Sequence, residues 1–397
     1  MAFSLDKRKE MLSTDVLSNL RSYKYSSVDK SYISQHILRH YWNYVAEFMP
    51  PWLAPNVITL IGFAFIYTNV VCVIAYVPDL VGPGPAWLYY SFAAGLWLYS
   101  TMDNVDGKQA RKTGSSSPLG ELFDHGIDSL NCTLGGLIEC ACMGLGPTGV
   151  GAFITMVSCL AMYFSTWETY HTHTLFLGYI NGPTEGIIIA VLLMVVSGIF
   201  GPEVWLTPVA DVVPLGGDWI LRDVFVVVVA LAFVVLHLPF CVYNVYQARR
   251  RAGLPFAPLV LDLVPISVCT LATFLYLNSP YATVLTHNHL VLFALATSFA
   301  FGRVTTKIIL AHLTKQPFPR WTIVMVPLIA APVLFDALPR LGLGFTTFFE
   351  VPYLVAYLLF AAGYFLWWAA AVINAICGYL DINCFTIKSH DLSKRNK

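Results

Sequence analysis

Four aspartates interrupt a chain that is otherwise apolar. Asp103 and Asp106 lie three residues apart at the end of one apolar run, and Asp124 and Asp128 lie four apart at the start of the next. Helical segments would put each pair on one face. The stretch 110–119, rich in Ser and Gly, turns the chain and makes the two helices antiparallel neighbours. Four carboxylates then converge, with only Arg111 and Lys108 close by in sequence to neutralise them. Such a site calls for cations. Hard oxygen ligands suit Mg²⁺ or Mn²⁺, and two ions about 4 Å apart would clamp a diphosphate. Gly107, Ala110 and Gly120 leave the flanking faces without bulk, so a nucleotide can approach the backbone. Arg111 can hold a phosphate through two hydrogen bonds.

The elements that must position these groups follow from composition. Of 397 residues, 57% are hydrophobic, 14% aromatic and 12% charged, and mean hydropathy is +0.66. A soluble domain carries roughly twice that share of charge. Soluble, disordered and outer-membrane barrel classes are thereby excluded. What remains is an all-α polytopic membrane protein. Ten apolar segments read as spans: 57–77, 86–109, 119–142, 148–169, 184–200, 223–247, 256–277, 289–312, 321–338 and 351–377. Loop charge orients them. One side receives 19 Lys and Arg, from Lys7, Arg8 and Lys9 to Arg249–Arg251 and Lys397; the other receives Arg222 and Arg340. Both termini and the 110–119 loop are expected in the cytosol. Ahead of the first span, residues 31–49 place Ile33, Ile37, Tyr41, Trp42, Val45 and Phe48 at helical spacing. This reads as an amphipathic helix on the membrane surface, capped by Asp29. The domain reading is 1–55 as N-terminal segment, 56–247 as catalytic bundle, 248–380 as additional helices and 381–397 as tail. The start has no apolar signal region. The cysteines show neither a disulfide nor a zinc spacing, the sequon at Asn131 lies in an apolar run, and zero net charge argues against nucleic acid.

The motif Asp106-Gly107-x-x-Ala110-Arg111, then Gly120-x-x-x-Asp124-x-x-x-Asp128, resembles the full signature of the CDP-alcohol phosphotransferase family, with Asp103 as its extra first acid. Four more segments resemble the eukaryotic choline/ethanolamine phosphotransferase branch: Trp52 to Leu60 around Asn56, Ser117 to Gly126 with His125, Gly182 to Gly186 with Glu185, and Ala311-His312 to Lys315. The resemblance spans roughly residues 20–390. It implies transfer of a phospho-alcohol from CDP-choline or CDP-ethanolamine to diacylglycerol, with release of CMP. It implies Asp103, Asp106, Asp124 and Asp128 as metal ligands, and Asn56 and Arg111 on the nucleotide or its phosphates. An endoplasmic reticulum or Golgi membrane is the expected location.

The base is read as His125 in preference to Asp128. A neutral imidazole suits proton removal near pH 7, and a carboxylate bound to a metal is a weakened base. Glu185, with Glu121 as the other candidate, is expected to orient it. Arg303 and Lys307 read as anion contacts or as snorkelling side chains. His171, His173, His287 and His289 read as bystanders. Trp167 and Tyr170 are candidates for a choline cage. Competing readings are a metal- or proton-coupled transporter, or a relative with another acceptor alcohol. Pairing into a homodimer is left open.

Overall fold

The computed structural model describes residues 12–213, 218–344 and 347–388. The expectations that rest on Lys7, Arg8 and Lys9 and on the tail beyond 388 lie outside the described residues. A surface helix, α1 (Arg39–Glu47), precedes ten long helical segments. These are α2 (Pro55–Tyr76), α3 (Ala86–Thr113), α4 (Pro118–Cys142), α5 (Gly149–Thr172), α6 (Gly182–Phe200) and α7 (Leu221–Arg251). They continue as α8 (Ala257–Leu277), α9 (Leu290–Leu313), α10 (325–340) and α11 (Glu350–Leu380). Seven are long and apolar enough to cross a membrane by length and composition: α2, α5, α6, α7, α8, α9 and α11. The charged motif lowers the hydropathy of α3 and α4, and α10 is short with Pro332 inside it. The chain is an all-α polytopic membrane protein.

Helix α9 is the central element, packing on α4, α5 and α11. Its neighbours meet through small residues and polar pairs, as expected where lipid removes the hydrophobic drive between helices. A Cβ on Gly136 would sit 2.7 Å from the Ile154 carbonyl, so α4 and α5 touch backbone to backbone there. Asn69 of α2 donates to the Ser91 carbonyl of α3 at 2.9 Å and accepts from its hydroxyl at 2.8 Å.

The turn between the motif helices is tighter than the sequence implies. Helix α3 continues to Thr113 and ends on Gly114 in the left-handed region (φ 69°), the usual place for glycine. Ser117 caps α4 by accepting from the Gly120 N–H at 3.2 Å, with Pro118 next. Helix α3 packs mainly on α2 and α6, and α4 on α9, α5 and α2. The two motif helices therefore touch at few places and stand apart as walls of a cleft.

The N-terminal segment crosses the mouth of that cleft. Asp29 accepts from the Ser31 N–H at 2.9 Å and from the Ser34 hydroxyl, as a cap should. A wide helical turn, Ser34–Leu38, leads into α1. Leu38, Trp42 and Ala46 pack on Ile58 and Val105, while Ile37, Tyr44 and Phe48 stay exposed. One face of α1 thus grips the bundle and another remains apolar and open. Lys112 closes the end of α1 by donating to the Ala46, Glu47 and Met49 carbonyls at 2.9, 3.2 and 3.0 Å. Two short strands add to the all-α expectation: β1 (Ser27–Asp29) pairs in parallel with β2 (Leu175–Leu177).

Candidate active site

A compact group of possible ligands forms on α4, and it includes His125 but neither Asp103 nor Asp106. Ligand atoms of Asp124, His125 and Asp128 lie within 4.8 Å of one another on α4. Asp103, from α3, lies near enough to Asp128, Asp124 and Asp106 to feel their charge. Asp106 feels Asp124 and Asp128. Two hydroxyls that the sequence did not single out fix the carboxylates. Thr59 of α2 donates to Asp106, and Tyr99 of α3 donates to Asp128. Their signal was positional: Thr59 lies one turn after Asn56, and Tyr99 one turn before Asp103, on the faces that meet the cleft.

The glycines of the motif are open at their Cβ positions. A Cβ on Gly107 would meet nothing nearer than Arg111 Nη1 at 3.5 Å. One on Gly120 would meet Ser117 Oγ at 3.8 Å and Asn56 Oδ1 at 3.9 Å. The protein has room for a side chain at either position, so neither glycine is explained by packing. Asn56, Gly107, Ala110, Arg111 and Gly120 are brought to this one end of the bundle. Lys108 is drawn away to Asn43 Oδ1 at 2.7 Å, whereas Arg111 Nη1 lies beside Gly107. The Asn56 amide donates to the Cys384 carbonyl at 2.9 Å, so residues just after α11 lie over the cradle. Phe385 stacks edge-on against Phe123 there.

The steric reading has a direct test. Gly120→Ala is expected to leave the thermal midpoint unchanged or slightly raised, since Ala favours a helix by about 0.5–1 kcal/mol. The KM for the nucleotide substrate should rise by at least about tenfold, the usual cost of one misplaced methyl in a fitted pocket. Scanning calorimetry beside steady-state kinetics separates the two. A fall in midpoint with unchanged KM would assign Gly120 to packing.

His125 Nδ1 lies 3.5 Å from Asp124 Oδ2. Glu185 does not reach it: its carboxylate accepts from the Ser31 hydroxyl and from the Asn181 N–H, the latter at 2.9 Å. The sequence-derived orienter therefore holds the segment that crosses the cleft. Glu121, one turn before His125, accepts from the Tyr23 hydroxyl at 2.8 Å. Half of the Tyr25 side chain is exposed, but the protein crowded around it, with Glu121, Asp124 and Asp103, pushes its phenol up to about 12. Tyr25 therefore keeps its phenolic proton well above neutral pH.

The weaker candidates among the histidines, cations and aromatic residues have partners within the protein. His171 Nε2 lies 3.1 Å from Asp262 Oδ2, which also holds Arg320 at 2.8 Å. His173 stacks on His312, with ring centroids 5.2 Å apart, and His287 and His289 meet edge to face. Arg303 is fully buried, its guanidinium 3.8 Å over the Trp368 ring, and Lys307 donates to the Trp321 carbonyl at 3.2 Å. Trp167 is buried against His171. Asn131 is buried in α4.

A family model described as CDP-alcohol phosphatidyltransferase matches residues 52–215, the stretch that holds the cleft. Choline/ethanolaminephosphotransferase 1 of Arabidopsis thaliana is 37% identical over 383 residues, 93% of this chain and 96% of that one. This chain belongs to the CDP-alcohol phosphatidyltransferase family. Cholinephosphotransferase 1 of Saccharomyces cerevisiae is 38% identical over 315 residues, covering 76% of this chain and 79% of its own. Ethanolaminephosphotransferase 1 of Mus musculus is 31% identical over 344 residues, or 83% and 84%. In this CDP-alcohol phosphatidyltransferase the donor set suits a divalent ion. Asp124 Oδ1 is shielded from solvent with no hydrogen-bond partner, an arrangement that costs free energy unless a cation faces it.

Proposed function

We propose that this membrane enzyme transfers phosphocholine or phosphoethanolamine from the CDP-alcohol to diacylglycerol, giving the phospholipid and CMP. The observation that carries this reading is the open cradle beside the convergent acids. Asn56, Gly107, Gly120 and Arg111 leave room for a nucleotide next to the α3 and α4 carboxylates. Asp103, Asp106, Asp124 and Asp128 would hold one or two divalent ions, Mg²⁺ or Mn²⁺. When bound, such ions neutralise the diphosphate and stabilise the leaving CMP.

The chain's own groups do the rest. Arg111 and Asn56 hold the nucleotide end and its phosphate, and Tyr25 supplies a neutral donor at the mouth. His125 accepts the proton of the diacylglycerol hydroxyl as its oxygen attacks the phosphorus bearing the headgroup alcohol. The bond from that phosphorus to the CMP oxygen breaks, and CMP departs with the electron pair. Thr59 and Tyr99 keep Asp106 and Asp128 in place. Glu185 acts at one remove, holding residues 29–34 across the cleft through Ser31. The acids lie at one end of their helices, whereas transporter sites sit near the midplane between repeats.

The cleft opens to the cytosol, in an endoplasmic reticulum or Golgi membrane, with the termini on the same side. The excess of Lys and Arg at the cleft end supports this orientation. Cysteine introduced at Ser116 should label from the cytosolic face of sealed vesicles and not from the lumenal face. Lumenal labelling alone would invert the topology. The activity is tested by headgroup incorporation from labelled CDP-choline and CDP-ethanolamine into diacylglycerol, with and without chelator. No incorporation from either donor by metal-replete enzyme would end this reading.

A further inference from the structure

Beneath the carboxylates, α4 carries a polar group that nothing in the protein serves. Asn131 lies one turn beyond Asp128, about 4.5 Å deeper along the helix axis, and close to the Tyr99 side chain of the opposite wall. It is 6% exposed. Among the described residues, neither its amide nitrogen nor its amide oxygen has a hydrogen-bond partner. Hydroxyls on and beside this stretch are committed elsewhere. Tyr99 donates to Asp128, Ser129 to the His125 carbonyl at 2.7 Å, and Ser298 to the Leu130 carbonyl at 3.1 Å. One turn further on the same face, a Cβ added at Gly135 would meet nothing within 4 Å. The face that carries Asp128 therefore presents, in order of depth, a carboxylate, an unpaired amide and open space.

A buried amide without partners is costly, and a ligand of matching polarity relieves the cost. An acceptor lipid carries its groups in the same order: a free hydroxyl, an ester carbonyl on the adjacent glycerol carbon, then an alkyl chain. With the hydroxyl at His125 and Asp128, that ester comes level with the next turn of α4. We propose that Asn131 positions the acceptor: its amide N–H donates to the ester carbonyl next to the free hydroxyl of diacylglycerol, and the chain on that ester runs on past Gly135. This rests on the transferase reading and deepens it, naming the feature of the acceptor that is read. A neutral amide suits a neutral lipid at this depth, since neither brings a charge that burial penalises. An ether at the same glycerol carbon has no carbonyl to offer, so Asn131 selects ester over ether at that carbon and is indifferent at the far one.

The test uses the full-length enzyme in lipid nanodiscs, with CDP-choline and CDP-ethanolamine as donors and three acceptors: 1,2-diacylglycerol, its 1-O-alkyl-2-acyl ether and its 1-acyl-2-O-alkyl ether. In the wild type, KM should be roughly 3- to 30-fold higher for the 2-O-alkyl acceptor alone, the size of one hydrogen bond lost at a buried site. Asn131→Leu should raise KM for the other two acceptors by a similar factor. It should add nothing for the 2-O-alkyl acceptor and leave KM for the donors unchanged. An equal loss of kcat on all three acceptors, with the ester–ether selectivity intact, would make Asn131 a support for Tyr99 and Asp128 and overturn the proposal. Unchanged kinetics would overturn it too, and assign the amide to a buried water. Should Asn131→Leu fail to fold, the wild type still decides: equal KM for the 2-acyl and 2-O-alkyl acceptors would sink the inference. Gly135→Leu, which has room for its side chain, should raise KM for the acceptors and not for the donors; no change there would take the acyl chain off this face. Wild-type enzyme that transfers to none of the acceptors from either donor would refute the transferase reading itself, whereas activity without ester–ether selectivity would refute this inference alone.

Discussion

Asp106→Asn is expected to lower turnover by on the order of 10³-fold or more while the protein remains folded and in the membrane. Losses of this size follow removal of one preorganised electrostatic partner from a transition state. Here the change removes a charge and a metal-binding oxygen together. The fold should tolerate it, because Asn keeps an oxygen for the Thr59 hydroxyl that Asp106 now accepts. The carboxylates of Asp124 and Asp128 also repel Asp106 whenever no cation lies between them. Removing its charge should therefore hold or raise stability in chelator while it destroys activity. Thermal unfolding with and without Mg²⁺, measured beside turnover, reads both effects. The wild type should gain stability on adding the ion, as any ligand of the native state provides, and the variant should gain much less. Near-normal turnover of Asp106→Asn at limiting Mg²⁺ would remove the acids from the metal site.

His125→Ala should lose roughly 10²–10⁴-fold in turnover, the usual contribution of a positioned base. Affinity for the CDP-alcohol should change little, since the proposed contacts to the nucleotide and its phosphates are made by Asn56, Arg111 and the acids instead. Asp128→Ala should differ in kind, losing ion and nucleotide binding together. The two groups are one turn apart and share the cluster of Asp124, His125 and Asp128, so position alone does not assign the proton. Paired measurements of turnover and donor affinity at saturating ion do. Normal turnover of His125→Ala, with Asp128→Ala inactive but fully able to bind ion and nucleotide, would make Asp128 the base.

The parts of the site that were legible in the sequence are those set by short-range spacing. Asp103 with Asp106, and Asp124 with Asp128, share faces by helical geometry alone, and the turn between them could only bring the pairs together. Gly107 and Gly120 were readable because a helix interior disfavours glycine without a reason. What was not legible depends on elements far apart in the chain. Nothing local to Glu185 says that Ser31, 154 residues earlier, claims its carboxylate. Glu121 gave no hint of Tyr23, 98 residues away. Thr59 and Tyr99 are ordinary residues in apolar runs until the packing of α2, α3 and α4 turns them toward the acids. The span reading located the ten segments within a few residues. Hydropathy alone fails at α3 and α4, because the groups that make the cleft are the charges that lower their apolar score.

The bond between Asn56 and Cys384 joins residues 328 apart, and that between Asn19 and Thr314 joins residues 295 apart. Ribosomes add about 5–20 residues per second, so the first wall of the cleft waits roughly 15–65 s for the segment that covers it. For most of that interval the acidic motif, complete at Asp128, has been made, while α9 or α11 is still to be finished. Biogenesis therefore passes through a stage in which the newborn chain carries its whole acidic motif with no finished bundle around it. During that window the chain must be shielded by the insertion machinery, or by the early capture of a cation.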